Sequence, residues 1–192
     1  SYASSLLNRT QVSTCSKQSV PSRVTAIGNE LDVDIVGNST SPDTGEGLCW
    51  AASLAAIIRY RTNSHSLTAI QLYNQLKSAH PTWLYGYPEG TKKWKKWSFD
   101  LYNLPKTYVS HGTTFPTIRT IIDDHRPIYC GLARVDENNT IVGRHGVVIV
   151  GYGAAYGYCN YILMDPNIHS NYVVVLGNGS GNTPFIYVTS YG

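Results

Sequence analysis

The sequence predicts an α+β fold in which helices come first and an antiparallel sheet follows. Three observations carry that expectation. Apolar residues recur at helical spacing before about residue 126, valine-rich runs split by Gly and Asn dominate after it, and no internal repeat divides the 192 residues. One domain, 1–192, is therefore expected, with a helical half over about 1–111 and a β half over about 112–192.

Residues 1–46 read as irregular or short-stranded, with one strand through Val33, Ile35 and Val36, and 37–47 (GNSTSPDTGEG) reads as loop. Polarity then drops. Residues 49–60 (CWAASLAAIIRY) place Leu54, Ile57 and Ile58 on one helical face, with Cys49 in the first turn. A second helix is expected over 67–78, with Ser66 as its N-cap. Residues 80–111 are rich in aromatics but punctuated by Pro81, Pro88 and Pro105, which predicts loops and short pieces. A third helix should occupy 116–125, capped by Thr114 and opened by Pro116. Strands follow at 128–135, 146–152, 161–164, 172–176 and 185–189, joined by short turns.

Composition narrows the function classes. A net charge of +3 with only 14% charged residues is too mild to predict a nucleic-acid partner. No run nears the roughly eighteen apolar residues of a membrane span. The Tyr, Gly, Ser, Thr and Asn content resembles that of secreted bacterial proteins, and the chain starts at Ser1 without an initiator Met. A mature, extracellular form, one that could be delivered to a host, is the expectation. The four cysteines, at 15, 49, 130 and 159, form no CxxC pair, so neither a metal site nor any other cofactor is predicted. With one strand between them, Cys130 and Cys159 should lie roughly 9–10 Å apart, beyond the reach of about 7 Å that a disulfide tolerates. Both are expected to be reduced and buried.

The chemistry concentrates on three residues. Thiolate rather than thiol is the nucleophile, and an ordinary cysteine is only a few per cent ionised at neutral pH. A helix N-terminus and a neighbouring imidazolium both favour the anion. Cys49 has the first; alone, it reads equally well as a small buried hydrophobe. His145 precedes the apolar run GVVIVGYG, where a strand start could carry its ring toward a facing helix. Asp165 ends the next strand, in YILMDPN, and antiparallel pairing across the Tyr156–Tyr158 turn would bring it roughly opposite His145. A carboxylate there would fix the imidazole tautomer and stabilise its charged form. Taken singly, His145 is a loop-end histidine and Asp165 a turn residue before Pro166.

These segments resemble the papain-like cysteine peptidases. GLCWAASLAAIIRY is similar to their cysteine-bearing helix, with the same Cys-Trp pair. RHGVVIVGYG is similar to their His-Ala-Val-hydrophobic-Val-Gly-Tyr strand, with Gly146 in place of Ala. The order Cys, His, then Asp or Asn also matches, at intervals of 96 and 20 residues, with Asp165-Pro166 where plant members have Asn-Ser-Trp. The helix running into Arg126-Pro127-Ile128 resembles small bacterial members, the double-glycine leader peptidases and plant-pathogen effector proteases. The resemblance implies a helical lobe packed on a β-sheet or barrel lobe with the active site in the cleft between them, a protein or peptide substrate, and a pro-segment or inhibitor as a further partner. It implies Cys49 as nucleophile, His145 as base, Asp165 as its orienting carboxylate, and the Cys49 backbone N–H as one oxyanion donor.

One departure stands out. The family's Gln before the cysteine, a second oxyanion donor, is absent from 43–48 (DTGEGL), and an ionised Asp43 or Glu46 would repel an oxyanion. Asn38 could reach only if the loop folds back. Peptide hydrolysis is the leading expectation. Acyl transfer by the same triad, in the manner of transglutaminases or phytochelatin synthase, is one rival, and a non-catalytic peptide-binding module is another. The segment 91–97 (TKKWKKW) reads more readily as an exposed hairpin, tryptophans inward and lysines solvated, than as a nucleic-acid or lipid patch. Trp50, Trp94 and Trp97 are the expected substrate contacts, on a cleft wall built by 80–111.

Overall fold

A computed structural model describes residues 26–82, 91–106, 108–109, 115–135, 137–138, 140–154, 160–168, 172–175, 185–187 and 190–191. Cys15, Thr114, the Tyr156–Tyr158 turn and Cys159 lie outside the described residues. The first element is the short strand β1 (Ala26–Glu30), in the stretch expected to be irregular or short-stranded. Residues 33–36 form no strand: Val33 and Val36 are buried, but they lack a ladder partner and run as an unpaired extension of β1.

Helix α1 (Cys49–Thr62) follows, and its residues Trp50 to Ile58 are all buried. The sequence pattern had marked one apolar face. In fact α1 packs against the sheet and against two further helices, so the small residues Ala51, Ala52, Ser53, Ala55 and Ala56 are needed all round it for close approach. It stops at Asn63, whose left-handed backbone (φ 52°) donates to the carbonyls of Arg59 and Tyr60.

Helix α2 (Ala69–Ala79) starts later than Ser66 would set it. Thr68 is its N-cap: the Thr68 hydroxyl accepts from the Gln71 N–H at 3.2 Å, and the Gln71 side chain accepts from the Thr68 N–H at 2.9 Å. The reciprocal pair satisfies two helix-end donors, which Ser66 could not do.

The largest correction is α3 (Thr91–Leu101), a helix where loops and a hairpin were expected. The three prolines that suggested breaks all lie outside it. Trp94, Lys95, Ser98 and Phe99 are buried, an i, i+1, i+4, i+5 set that marks a helical face. Lys95 is among them rather than in water, its ammonium 4.7 Å from the centre of the Tyr129 ring.

After the short β2 (Tyr108–Val109), α4 (Phe115–Asp123) buries Ile118, Ile121 and Ile122. It ends two residues early because His125 turns left-handed (φ 58°), letting the Arg126 N–H reach the Ile121 carbonyl at 3.2 Å.

The remaining strands are β3 (Ile128–Val135), β4 (Ile141–Ala154), β5 (Asn160–Met164), β6 (Tyr172–Val175), β7 (Phe185–Tyr187) and β8 (Ser190–Tyr191). The main sheet is antiparallel in the order β6-β5-β4-β3-β7, with β1 also on β4, while β2 and β8 pair separately. Strand β4 is the spine. Val148 and Ile149 pair with both β3 and β5, whereas Tyr152 and Gly153 pair with both β1 and β5, so β3 and β1 share one edge and β5 holds the other. The architecture is α+β, with α1 lying against β3 and β4. No helix among the described residues is long and apolar enough to cross a membrane.

Candidate active site

The three elements that meet at Cys49 are the start of α1, the middle of β4 and the end of β5. Cys49 is the first residue of α1 and half-buried. Its helix has Leu48 as N-cap, without a side-chain cap, and no acid in its first turn, so no neighbouring anion offsets the positive end of the helix. His145 is not at a strand start. Strand β4 begins at Ile141, and His145 is its fifth residue, paired with Leu132 of β3. Gly143 and Arg144 already belong to the ladder, opposite Arg134 and Ala133, which gives the imidazole a rigid base.

His145 Nε2 meets Asp165 Oδ1 at 2.7 Å, with both side chains buried. Asp165 follows Met164, whose partner on β4 is Val148, so the ladder alone does not bring it level with His145. Its side chain closes the difference. The same oxygen accepts the Asn167 N–H at 2.8 Å, and the Asp165 carbonyl accepts the Ile168 N–H at 3.0 Å. The turn thus holds the carboxylate before any imidazole arrives.

With Nε2 taken by Asp165, the other imidazole nitrogen is left for Cys49, and the two side chains are close enough for each to shift the other's pKa. The Gly146 N–H points at Cys49 Sγ across 3.4 Å. Burial pushes the Cys49 thiol up, but His145, by hydrogen bond and by charge, and the backbone N–H groups of Gly146 and Trp50 outweigh it, and the thiol lies below its ordinary range. Burial works the other way on His145. The hydrogen bonds to Asp165 and Cys49 and their charges prevail, and the imidazole is pushed up to about 9. Both shifts favour the thiolate–imidazolium pair. Cys130 is the contrast: also free and fully buried, it has only a weak pull from Lys95, and burial drives its thiol far up.

Two contacts set the gap between α1 and β4. Ser53, one turn after Cys49, donates from Oγ to the Gly146 carbonyl at 3.0 Å inside the core. A methyl on Gly146 would lie 3.1 Å from Trp50 Cα and 2.7 Å from Tyr129 Oη, so only glycine lets α1 approach this closely. Neither Ser53 nor Tyr129 had been singled out in the sequence. The i, i+4 spacing of Cys49 and Ser53 was a readable signal. Ser53→Ala leaves the Gly146 carbonyl without its buried donor. It is expected to cost about 1–3 kcal/mol in a denaturation midpoint, with a parallel drop in Cys49 alkylation rate.

The tryptophans occupy different places. Trp50 and Trp94 are buried with ring centres 4.6 Å apart, and Tyr73 meets Trp50 edge-on. Their burial makes them support for α1 and α3 rather than open contact surface. Trp97 is half-buried and stacks on His80 at 3.6 Å. Asp43 is turned toward α2, where Tyr73 Oη donates to it at 2.6 Å and Lys77 pairs with it; both hold its carboxyl below the usual range. Its charge is matched there. Glu46 is exposed. The loop does fold back, the Thr40–Gly47 bridge closing it, but the Asn38 amide donates to Asn167. Among the described residues no three His, Cys, Asp or Glu side chains cluster in a way that could hold a metal ion.

A free thiol at a helix start, beside an imidazole on a sheet backed by a buried carboxylate, is an arrangement that thiol-based acyl chemistry can use. A family model described as the Peptidase_C39 like family matches residues 30–176, and the chain belongs to that family, within the papain-like cysteine peptidase superfamily. The match begins with the last residue of β1 and spans Cys49, His145 and Asp165. No curated protein matches the chain. Family membership points to a cysteine peptidase acting on peptides.

Proposed function

We propose that this protein is a papain-like cysteine peptidase that hydrolyses peptide bonds through Cys49, His145 and Asp165. The observation that carries the reading is the grouping of Cys49 Sγ, 3.4 Å from the Gly146 N–H, with the neighbouring His145 ring, itself bonded to Asp165 Oδ1 at 2.7 Å. In the resting state the proton sits on His145. The Cys49 thiolate attacks the scissile carbonyl carbon, and the electron pair of the C=O moves onto oxygen. Collapse of that adduct expels the amine, which takes the proton from His145 and leaves a thioester. Water then gives a proton to His145 as it attacks the thioester, and the carboxylate product leaves Cys49.

The oxyanion is assigned to the Cys49 backbone N–H at the uncapped start of α1. Asp43 does not oppose this, because Lys77 and Tyr73 hold its carboxylate at α2. The helical elements up to about 111 and the β elements from about 112 are read as two lobes of one domain with the substrate between them, and Trp97 as its aromatic contact. Action outside the cell is inferred from the charge-poor, tyrosine-rich composition.

The test uses the full chain with a mixture of denatured proteins, followed by mass spectrometry. New peptide termini that appear with the unsubstituted protein and vanish with Cys49→Ala are expected. Mass gains on an added amine, without new free carboxyl termini, would replace hydrolysis by acyl transfer. A Cys49 no more reactive toward iodoacetamide than in the denatured chain would leave only a binding role.

A further inference from the structure

A hydrogen-bonded path joins the segment before Cys49 to the turn that carries Asp165. It starts at Leu48, the N-cap next to Cys49. The Leu48 N–H donates to the Ser39 carbonyl at 2.9 Å, and the Ser39 N–H donates to Asn38 Oδ1 at 2.8 Å. Asn38 Nδ2 donates to Asn167 Oδ1 at 2.7 Å, and the Asn38 backbone N–H donates to the Pro166 carbonyl at 2.9 Å. From Asn167 the path returns to the site, its N–H on the same Asp165 oxygen that faces His145. The segment between is itself braced: the Ser41 N–H meets the Glu46 carbonyl at 2.7 Å, and Gly45 takes the positive φ of 76° that the reversal requires.

We propose that Asn38 and Asn167 are positioning residues, a side-chain clasp that locks the loop before Cys49 to the turn carrying Asp165 and so sets the separation at which Cys49 and His145 meet. The proposal rests on the reading of those two residues as a reacting pair. The sheet fixes His145, and α1 fixes Cys49, but these are different elements joined through packing. The clasp is the side-chain tie between the segment entering α1 and the segment leaving β5, 129 residues apart, beside the backbone bond from the Asn38 N–H to the Pro166 carbonyl. Both asparagines are exposed, so their side chains contribute little core packing and act here through hydrogen bonds. Displacement of a reacting group by 1 Å costs about a hundred-fold in rate.

The experiment measures the rate of Cys49 alkylation by iodoacetamide against pH in the full chain, beside thermal melts. Cys130, fully buried, serves as the unreactive internal control. Asn38→Ala and Asn167→Ala are each expected to slow alkylation at pH 6 by roughly ten-fold or more, within the range that misplacement allows, and to move the profile toward that of an ordinary thiol. The double variant should be no worse than Asn38→Ala alone, because that variant already lacks the Asn38–Asn167 bond. Asn167→Asp keeps the acceptor oxygen and should retain the original profile.

Unchanged profiles in both alanine variants overturn the clasp, as does a double variant whose loss is the product of the two. A loss of peptide cleavage in Asn38→Ala with an unchanged alkylation profile would also overturn it, giving Asn38 a contact with substrate instead. If the unsubstituted Cys49 titrates as an ordinary thiol, the reacting pair and the clasp fall together. If it titrates low and the variants do too, only the clasp falls.

Discussion

His145→Ala is expected to lower peptide cleavage by roughly 10²–10⁴-fold and to return Cys49 to the alkylation profile of a buried thiol. The reason is the balance at Cys49. Burial raises its pKa, and the hydrogen bond and charge of His145 head the opposing causes; the N–H groups of Gly146 and Trp50 come after them. With the imidazole gone, desolvation has less against it, and the thiol rather than the thiolate is the resting form. In the unsubstituted protein the active species needs Cys49 deprotonated and His145 protonated. Activity should therefore rise on the acid side, below the 9.0 of an ordinary thiol, and fall as pH climbs through about 9, where His145 loses its proton. The two limbs belong to the coupled pair rather than to one residue each.

The stability sign follows from the same shift. A histidine raised from 6.5 to about 9 on folding stabilises the fold fully below 6.5, and that contribution is lost as pH rises through about 9. Asp165→Asn supplies the companion measurement. The amide oxygen still accepts from Nε2 but carries no charge to hold an imidazolium, so the alkaline limb should move to lower pH. An alkaline limb that stays near 9 in that variant would show that Asp165 does not charge the imidazole.

Gly146→Ala is the second large effect, and its size comes from contacts with atoms that cannot swing away. The new methyl would press on Trp50 Cα at 3.1 Å and Trp50 N at 3.3 Å, the backbone of α1 one residue from Cys49, and on Tyr129 Oη at 2.7 Å. Relief requires α1 to move outward or β4 to bend. Overpacking of this kind costs about 1–3 kcal/mol, read as a shift in denaturation midpoint. The same movement lengthens the 3.4 Å approach of the Gly146 N–H to Cys49 Sγ and strains the Ser53 bond to the Gly146 carbonyl. Alkylation of Cys49 should slow together with the loss of stability. Adding Tyr129→Phe removes the hydroxyl contact but not the helix backbone, so it should restore part of the stability and little of the rate. A Gly146→Ala protein as stable and as reactive as the original would mean that the α1–β4 spacing is not critical.

The alanine at the corresponding place in the papain-like pattern makes this departure informative. In this chain Tyr129 fills the room beside Gly146, and Lys95 from α3 lies over the Tyr129 ring. The aromatic and basic segment expected to be an exposed hairpin is thereby tied, through one tyrosine, to the strand that carries His145.

Local pattern was sufficient wherever the physics was local. The apolar run after Gly47 specified α1 and put Cys49 in its first turn, and β-branched runs specified the strands. Cys49 and Asp165 stood out because each sits at the end of an element, and His145 because of the apolar run that follows it, although it lies inside β4. Thr68, two residues from Ser66, was distinguishable only by the Gln71 that completes its capping box. Helix α3 was obscured because its buried face includes a lysine and a serine, and a pattern of apolar residues does not score Lys95 or Ser98 as interior.

What the residue order determined by itself was which side chains are candidates for chemistry and on which kinds of element they ride, because helix and strand periodicities act over a few residues. The tertiary structure alone decided how those elements meet: Asp165 reaching His145 from beyond the last rung of the β4–β5 ladder, Ser53 and Gly146 setting the depth of α1, Asn38 crossing to Asn167. Such contacts join segments up to 129 residues apart. Their energy depends on distances that appear only when the sheet and the helix are packed together, so no local window of sequence contains them.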